Sequence, residues 1–315
     1  MKKALVVMFM LLLFIPRFSY GYEGGRANHL EAGLLYIRSA DNFSTQSDLR
    51  IDTLGEKADR ASFLVPVVLF NMGAGYGRTN TVYFRSDIEK GDDFGLNLGT
   101  VIALGENENM LDLSIGYVPF QEAWKNPYQT GGARQETDVT RYSGKVRLSR
   151  IAGTPFGVRF KVARVAVDDD EIGRLYPSLA REGTVYKVSI DYRVEITPAF
   201  SVVPSLSYER GDLDGSSNSY DGYGAALRVM YRHGPLLVMP VFLYSFDQYD
   251  TPHPLFGETR EDNRFAMFVT ATISGLFETP GLYCKILSGY VARDSNIDFC
   301  DSEGIFAGLT VGYRF

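Results

Sequence analysis

The sequence predicts an all-β protein, a closed antiparallel transmembrane β-barrel of about 14 strands, with about 12 as the alternative count. Three observations predict it: apolar and polar residues that alternate at period two, connections that alternate between short and long, and an N-terminal export signal. No internal run of about 18 apolar residues exists, which excludes a helical membrane span after the N-terminus.

The N-terminus has the pattern of a cleaved signal peptide covering residues 1–21. Two lysines precede the apolar stretch 4–15, and Ser19-Tyr20-Gly21 puts small residues at the two positions that a signal peptidase reads. The apolar stretch is about 12 residues long, which is too short for a retained span. We expect cleavage before Tyr22, so that residues 22–315 form a single barrel domain.

The last strand has the strictest alternation in the chain. Its apolar face includes Leu309, Val311, Tyr313 and Phe315, and glycine or polar residues lie between them. A chain that ends in this aromatic-x-aromatic pattern resembles the signal that the outer-membrane barrel assembly machinery recognises. These four residues are therefore the expected assembly signal, and that machinery is an expected partner. A soluble edge strand this apolar would invite aggregation unless it closed a barrel or packed on a core.

Alternation along the rest of the chain places fourteen strands. They cover 28–38, 62–71, 78–87, 93–103, 109–118, 140–151, 156–167, 184–196, 199–210, 221–232, 236–247, 263–274, 281–292 and 304–315. The connections near 72–77, 104–108, 152–155, 197–198, 233–235 and 275–280 are short, whereas 39–61, 119–139, 168–183, 248–262 and 293–303 are long and polar. Short periplasmic turns and long outer loops are typical of outer-membrane barrels. The even count puts both termini in the periplasm of a Gram-negative bacterium.

Three prolines are difficult to place in this map. Pro66, Pro204 and Pro240 fall inside proposed strands, where proline removes a ladder donor. A closed barrel has no edge strand to hold them, so bulges are expected at these positions. Alternatively some segments are shorter, which would give about 12 strands.

Composition agrees with a barrel. The chain has 20 Tyr and 21 Phe against one Trp, enough to furnish aromatic girdles at both bilayer interfaces. A soluble β-sandwich also favours aromatic residues and stays open as an alternative. The formal net charge of −6 gives no basic footprint for nucleic acid, which is not an expected partner.

The predicted inner face carries more positive than negative charge. The pore-lining candidates are Arg141, Lys145, Arg147, Arg159, Lys161, Lys187, Asp191, Arg193, Glu195, Arg228 and Arg264. Strands 140–151, 156–167 and 184–196 contribute seven cations and two carboxylates to this set, and such a strip along a wet bore would favour anions. A charge on the lipid face would cost about 2–4 kcal/mol, so inward placement is expected whatever the function. The alternative is a salt-bridge ladder that fills a narrow barrel.

This pattern favours a passive porin-like channel for small hydrophilic solutes, with no enzymatic activity, cofactor or metal site. Outer-membrane lipid, lipopolysaccharide and small solutes are the other expected partners. Acidic outer loops, such as 168–171, leave a second hypothesis open: a non-conducting surface barrel that binds a partner or lipopolysaccharide. Loops 39–61 or 119–139 could also fold inward.

Histidine and cysteine bear on two further hypotheses. A lipid-modifying barrel hydrolase is disfavoured, because His29, His233 and His253 have no obvious Ser–acid neighbours in sequence. Cys284 and Cys300 could pair in an exported protein, but the strand map separates them beyond disulfide reach. Two free thiols are therefore favoured.

Three loop segments resemble a known family. They are Trp124-Lys125-Asn126-Pro127-Tyr128 with Thr130-Gly131 and Arg134-Gln135-Glu136-Thr137, Phe256-Gly257-Glu258-Thr259-Arg260-Glu261-Asp262, and Asp294-Ser295-Asn296-Ile297-Asp298-Phe299. Together they resemble an uncharacterised family of exported proteins of similar length from Gram-negative bacteria, catalogued as a domain of unknown function. The resemblance covers most of the mature chain, implies an outer-membrane location and supplies no catalytic residues. Cys300 stands where the family pattern suggests an aromatic, so no structural role is expected for its thiol.

Overall fold

The computed structural model describes residues 28–55, 57–77, 79–88, 94–105 and 109–315. The expected signal peptide, residues 1–21, lies outside these ranges and stays a prediction. Within them the chain is almost entirely antiparallel sheet, with one short α-helix, α1 (Glu171–Leu175), in a loop. No helix among these residues is long and apolar enough to cross a membrane.

The sheet closes on itself. Its strands are β1 His29–Asp41, β2 Ala61–Tyr76, β3 Asn80–Ile88, β4 Phe94–Leu104, β5 Asn109–Trp124, β6 Glu136–Ser149, β7 Phe156–Val167, β8 Gly183–Tyr192 continued by Val194–Thr197, β9 Phe200–Leu213, β10 Tyr220–His233, β11 Leu236–Pro252, β12 Thr259–Ser274, β13 Leu282–Ser295 and β14 Ser302–Arg314. Each strand pairs with its neighbours in sequence, and β1 also pairs with β14 along its whole length. The predicted barrel of 14 strands is confirmed, and the smaller count is wrong.

The connections alternate in length around the barrel. One end has short turns such as 198–199 and 234–235, and the other has the long connections 42–60, 125–135, 168–182, 253–258 and 296–301. These are called the short-turn end and the long-loop end. Several strands run further towards the long loops than predicted, and β5 reaches Trp124. Backbone pairing continues there after the apolar alternation has stopped, so the alternation underestimates strand length.

The outward face of the barrel is apolar and the inward face is polar. Ile115 is 65% exposed although it lies in the middle of a strand, whereas the inward Asn97 is 1% exposed. The four residues of the expected assembly signal, Leu309 to Phe315 in steps of two, are each about half exposed on the outward face. Large exposed apolar side chains over a whole surface require contact with hydrocarbon, which a bilayer supplies.

Exposed aromatic side chains form two belts around the outward face. The belt near the long loops comprises Tyr36, Tyr117, Tyr142, Tyr186, Tyr208, Tyr223, Tyr244 and Phe265. The belt near the short turns comprises Tyr76, Phe156, Tyr192, Tyr231, Tyr313 and Phe315. Ring centroids are 5.3 Å apart in Tyr117–Tyr142 and 4.7 Å apart in Phe156–Tyr192. Belts of this kind mark the two bilayer interfaces.

Two of the three strand prolines lie where a ladder is interrupted. Pairing of β9 with β8 stops at Ser205–Asp191 and resumes at Val202–Val194, on either side of Pro204. Pairing of β10 with β11 stops at Arg228–Val241 and resumes at Tyr231–Val238, on either side of Pro240. Neither proline has to supply a ladder donor there, so short ladder gaps without a register shift take the place of the predicted bulges.

Pro66 lies on a locally open edge of β2. The Phe70 N–H points towards β3 and donates to the Ser86 hydroxyl at 2.8 Å instead of to a backbone carbonyl. Since alternate residues of a strand direct their N–H groups to the same side, position 66 also faces β3. No ladder partner for Pro66 lies there within the described ranges, which is the setting in which a strand tolerates proline.

The seam that closes the barrel contains a buried carboxylate. Glu31 on β1 is 1% exposed and accepts hydrogen bonds from Tyr283 at 2.9 Å, Lys285 at 2.5 Å and Thr310 at 2.6 Å. The donors belong to β13 and β14, so the network ties three strands together across the seam. A buried charge is tolerated here because its oxygens are hydrogen-bonded and its partner is a cation.

Replacing Glu31 by Ala should destabilise the barrel. The substitution leaves the Lys285 ammonium without its partner, and we expect it to lower the free energy of unfolding by about 3 kcal/mol. Urea titration in lipid vesicles, read from the mobility of the unheated protein on gels, measures the change. Glu303→Ala, which removes an exposed partner of Arg60, is the control and should cost less than about 1 kcal/mol. Equal losses in the two variants would contradict the role given to Glu31.

Candidate functional site

The pore-lining candidates all occupy inward-facing positions of the barrel. Arg141, Lys145 and Arg147 are on β6, and Arg159 and Lys161 are on β7. Lys187, Asp191 and Glu195 are on β8, and Arg193 lies between its two segments. Arg228 is on β10 and Arg264 is on β12. Each alternates with outward neighbours, as Lys145 does with the exposed Val146. These side chains therefore lie on the inner face of the barrel, and their role in lining a conducting pore stays a prediction.

Guanidinium groups cluster around Asp191 on the inner wall. Arg147 donates to this carboxylate at 3.1 Å. Arg159 from β7 and Arg228 from β10 interact electrostatically with both members of the pair. Within the described ranges neither Arg159 nor Arg228 has an ion-pair partner within 4.0 Å. This set is called the Asp191 cluster.

Neighbouring strands supply acceptors that the sequence-based count left out. Lys187 pairs with Glu209 of β9 at 3.0 Å, and Lys145 donates to the Asn97 amide of β4 at 3.0 Å. Asp112 of β5 lies directly across from Arg147 in the ladder. The alternation of β9 already placed Glu209 inward, so this partner was available in the sequence. These acceptors on flanking strands neutralise part of the positive charge of β6, β7 and β8.

Three of the candidates lie away from the Asp191 cluster. Arg193 and Glu195 line a pocket of about 190 Å³ at the short-turn mouth, together with Arg232. Arg264 lies towards the long-loop end and contacts Asp247 at 2.7 Å. Seven of the eleven candidates therefore fall into three groups along the bore: the Asp191 cluster, the pair Arg193 and Glu195, and Arg264.

Five long loops meet in one hydrophobic cluster at the long-loop end, called the loop cap. Its buried members are Ile51, Tyr128, Ile172, Leu179, Ile297, Phe299 and Cys300, with Phe43, Leu54, Leu255 and Phe256 packed against them. These loops begin on opposite sides of the barrel, because they follow β1, β5, β7, β11 and β13. One cluster that draws on all five must lie across the mouth. It includes both loops that the sequence suggested as an inward-folding plug.

Polar contacts join loops 42–60 and 125–135 within the cap. Arg134 is 2% exposed, donates to the backbone oxygens of Asn42 and Asp48, and places its guanidinium 4.4 Å from the ring centroid of Trp124. The Trp124 indole N–H donates to the Ser44 carbonyl at 3.0 Å. A buried arginine that satisfies loop carbonyls and stacks on an aromatic ring fixes two loops at once.

The acidic run 168–171 holds the cap together. Asp170 accepts from Arg181 at 2.8 Å, and Arg181 also donates to the Trp124 carbonyl at 2.7 Å. Asp169 accepts from Lys125 at 2.7 Å and from Arg174 at 2.5 Å. These two carboxylates are used within the loops and anchor α1 beside loop 125–135.

The expectation that Cys300 has no structural role is wrong. Its side chain is fully buried in the centre of the loop cap, and burial raises the pKa of its thiol. Its carbonyl accepts from the Arg293 guanidinium at 2.6 Å. Cys284 lies on β13 near the short-turn end, and both cysteines are free, as predicted.

The three loop segments that suggested a family resemblance converge on the cap. Tyr128 and Phe299 are buried members of the cap, and Trp124 contacts loop 42–60 through its hydrogen bond to the Ser44 carbonyl. Arg260 forms a buried ion pair with Asp262 at 2.7 Å, and its guanidinium lies 5.7 Å from the ring centroid of Phe43 in the cap. Aromatic and arginine residues within long polar loops indicate that the loops pack together. The sequence did not show which loops meet.

The sequence matches a family described as a protein of unknown function, DUF2860, over residues 25–314. The chain belongs to the DUF2860 family. The resemblance drawn from the loop segments is therefore confirmed. No curated protein matches this family member in sequence.

Solved outer-membrane barrels resemble this DUF2860 chain in fold. The outer-membrane channel DcaP of Acinetobacter baumannii is 9% identical, with 94% of this chain and 99% of that one covered and a TM-score of 0.47. An outer-membrane channel from Pseudomonas putida F1 is 12% identical, with 96% and 100% covered and a TM-score of 0.46. LpxR from Salmonella typhimurium is 11% identical, with 90% and 100% covered and a TM-score of 0.40.

The three histidines of the chain do not share a site. His29 begins β1 at the short-turn end, with its ring 6.4 Å from that of Tyr283, and His233 ends β10 at the same end of the barrel. His253 is 1% exposed in the loop cap. A surface hydrolase needs an accessible base beside its nucleophile, which the burial of His253 does not offer.

His253 is held in its neutral form. Its Nδ1 accepts from the Leu255 N–H at 3.3 Å, which places the ring proton on Nε2, 3.0 Å from the Tyr128 hydroxyl. Burial and then the positive charge of Arg260 lower the pKa of His253 to about 4. Protonation would put a second ring proton against the Leu255 N–H inside an apolar cluster.

Acid should loosen the loop cap. The unfolded pKa of histidine is about 6.5, so the stabilisation is fully present above that pH and is lost as pH falls from about 6.5 to about 4. The loss amounts to about 3 kcal/mol. The only tryptophan of the chain, Trp124, is buried against Arg134 and Ser44 of two loops that build the cap, so its emission should shift to longer wavelength over this range. His253→Gln keeps a neutral hydrogen-bonding side chain, and its emission should depend less on pH. An identical titration in both proteins would contradict the assignment.

Proposed function

We propose that this barrel is a passive channel in the outer membrane of a Gram-negative bacterium, conducting small hydrophilic solutes with a preference for anions. The Asp191 cluster carries the proposal. It sets three inward-facing guanidinium groups around one carboxylate, and two of them lack an ion-pair partner among the described residues.

The energetics of this cluster favour a wet bore. An unpaired cation in a filled, dry barrel would cost several kcal/mol of desolvation. Water in the bore removes most of that cost, and the remaining positive potential attracts anions. A salt-bridge ladder filling the lumen accounts for Arg147 and Lys187, whose partners are present, but not for Arg159 and Arg228.

In this proposal the long-loop end faces the cell exterior and both termini face the periplasm, which is the usual asymmetry of such barrels. Solutes that arrive from outside then meet the loop cap first. After the loop cap, the solutes would pass the inner wall, where they would meet the three charged groups one after another along the bore.

The surface-binding alternative has less support. It rests on acidic loops that are free to engage a partner, yet Asp169 and Asp170 are occupied by lysine and arginine side chains of neighbouring loop segments. A carboxylate already paired within its own surface is a weaker ligand for divalent ions or for basic partners.

Reversing the charge of the two unpaired arginines should reverse or reduce selectivity. We expect Arg159→Glu with Arg228→Glu to lower the chloride-to-potassium permeability ratio at least about threefold, because local charge sets ion preference in a narrow bore. The reversal potential of purified protein in a planar bilayer under a potassium chloride gradient measures the ratio.

The matched control places the same charge change outside the lumen. Lys57→Glu with Arg60→Glu alters two loop side chains that are 72% and 60% exposed, and it should leave the reversal potential unchanged. Equal shifts of the reversal potential in the two double variants would contradict the role of the Asp191 cluster in ion selectivity. Silent bilayers over many insertions of folded wild-type protein would defeat the channel proposal itself.

A further inference from the structure

Small side chains line the inner wall between the guanidinium groups of the Asp191 cluster. Two adjacent rows of the ladder, one beginning at Arg159 of β7 and the other passing through Asp191 of β8, cross β9 and reach β10. The other inward residues of these rows on β8, β9 and β10 are Ser189, Ser205, Ser207, Gly224 and Ala226. This patch is called the serine floor. Its side chains are short, so the wall recedes where the surrounding arginines are long.

Guanidinium groups border the serine floor on opposite sides. Arg159 pairs with Ser189 at one corner, and Arg228 follows Ala226 by two residues at the other. The positive charges of Arg159 and Arg228 act on each other as well as on Asp191, and Arg193 also acts on Arg228. Among the described residues none of these three arginines has an ion-pair partner within 4.0 Å. The floor is therefore surrounded by cations that repel one another.

A tetrahedral oxyanion fits this arrangement better than chloride does. It presents several oxygens, so it can accept hydrogen bonds from separate guanidinium groups at once, and the planar fork of arginine matches such oxygens. The hydroxyls of Ser189 and Ser205 can donate to the oxygens that face the wall. An anion with more than one negative charge also offsets more of the repulsion between the arginines.

The Asp191 carboxylate adds a requirement for a proton on the ligand. It accepts from Arg147 at 3.1 Å, its side chain is 15% exposed, and it lies over Gly157, where an added Cβ would come within 2.9 Å of it. An ionised carboxylate only accepts hydrogen bonds. Hydrogen phosphate carries a P–O–H group that can donate to Asp191, whereas sulfate near neutral pH has no proton to offer and is repelled.

We propose that the serine floor and the Asp191 cluster form a binding site for inorganic phosphate. Arg159 and Arg228 donate to its charged oxygens, and Asp191 accepts from its P–O–H group. Arg193 and Arg232 line the pocket of about 190 Å³ at the short-turn mouth, so further guanidinium groups lie between this site and that mouth. The inference rests on the proposed function in that it names the solute of the same lumen.

Calorimetric titration tests the site without any need for conduction. Inorganic phosphate is added to the full chain in dodecyl maltoside micelles, which contain no phosphate, in potassium chloride near neutral pH. The heat should saturate at one phosphate per chain. Sulfate should bind at least about tenfold more weakly, because a site built to accept a hydrogen bond rejects a ligand that lacks the donor. Equal affinities for phosphate and sulfate would overturn the proposal.

Filling the serine floor should weaken phosphate binding while every charge stays in place. We expect Ala226→Leu to lower the affinity at least about tenfold, because the ligand loses its hydrogen bonds to charged donors. Ala225→Leu is the matched control: it adds the same side chain one residue along, on the outward face, and should leave the affinity unchanged. Equal affinities in these two variants would contradict a site on the floor.

Two charge variants test the same site should Ala226→Leu fail to fold. Arg159→Gln with Arg228→Gln should weaken phosphate binding at least about tenfold, whereas Lys57→Gln with Arg60→Gln in the loops should not. Asp191→Asn should lower the ratio of phosphate to sulfate affinity at least about fivefold, because the repulsion of sulfate disappears. An unchanged ratio would remove the role of Asp191 and with it the assignment to phosphate.

The outcomes separate this inference from the channel proposal. Saturable phosphate binding that Ala226→Leu weakens, in a protein silent in planar bilayers, would keep the site and remove the channel. Chloride currents from a protein that binds no phosphate would keep the channel and overturn the site.

Discussion

The demand that backbone groups in a bilayer be hydrogen-bonded governs this structure. It explains why the sheet must close, with β1 against β14 along the full length of both strands. It explains why Glu31, at that seam, is surrounded by donors from two other strands. It also makes every missing ladder bond informative, because a chain at membrane depth tolerates an unpaired edge only where something polar is within reach.

The two ends of the barrel differ in how tightly their side chains pack. At the short-turn end, residues return directly from strand to strand and little side-chain packing is needed. At the long-loop end, five loops build a small core of their own, with buried arginines, a buried histidine and a buried thiol. The lumen between them carries its charges in separate groups. In the proposed channel, solutes would pass a covered mouth and then a basic stretch of the inner wall.

Much of the fold followed from period-two alternation, because lipid outside and water inside impose opposite chemistry on successive residues. The strand count, the closure, the inward set from Arg141 to Arg264 and the separation of Cys284 from Cys300 were all predictable in this way. The loop cap was not, since loop packing depends on which distant segments meet and has no period to detect. Pro66 was puzzling for the same reason: among the described residues the pairing of its strand with β3 ends at Asn71–Arg85, and only the ladder register shows it.

The loop cap has a practical consequence for handling this protein. Its core takes residues from loops that are distant in sequence, from Phe43 to Cys300, so each loop is a shared part of one structure. An epitope tag or reporter peptide inserted into loop 125–135 would therefore disturb four other loops, as would most changes near Arg134. Inserts placed in the turns at the opposite rim, such as after Gly234, would leave the loop cap undisturbed.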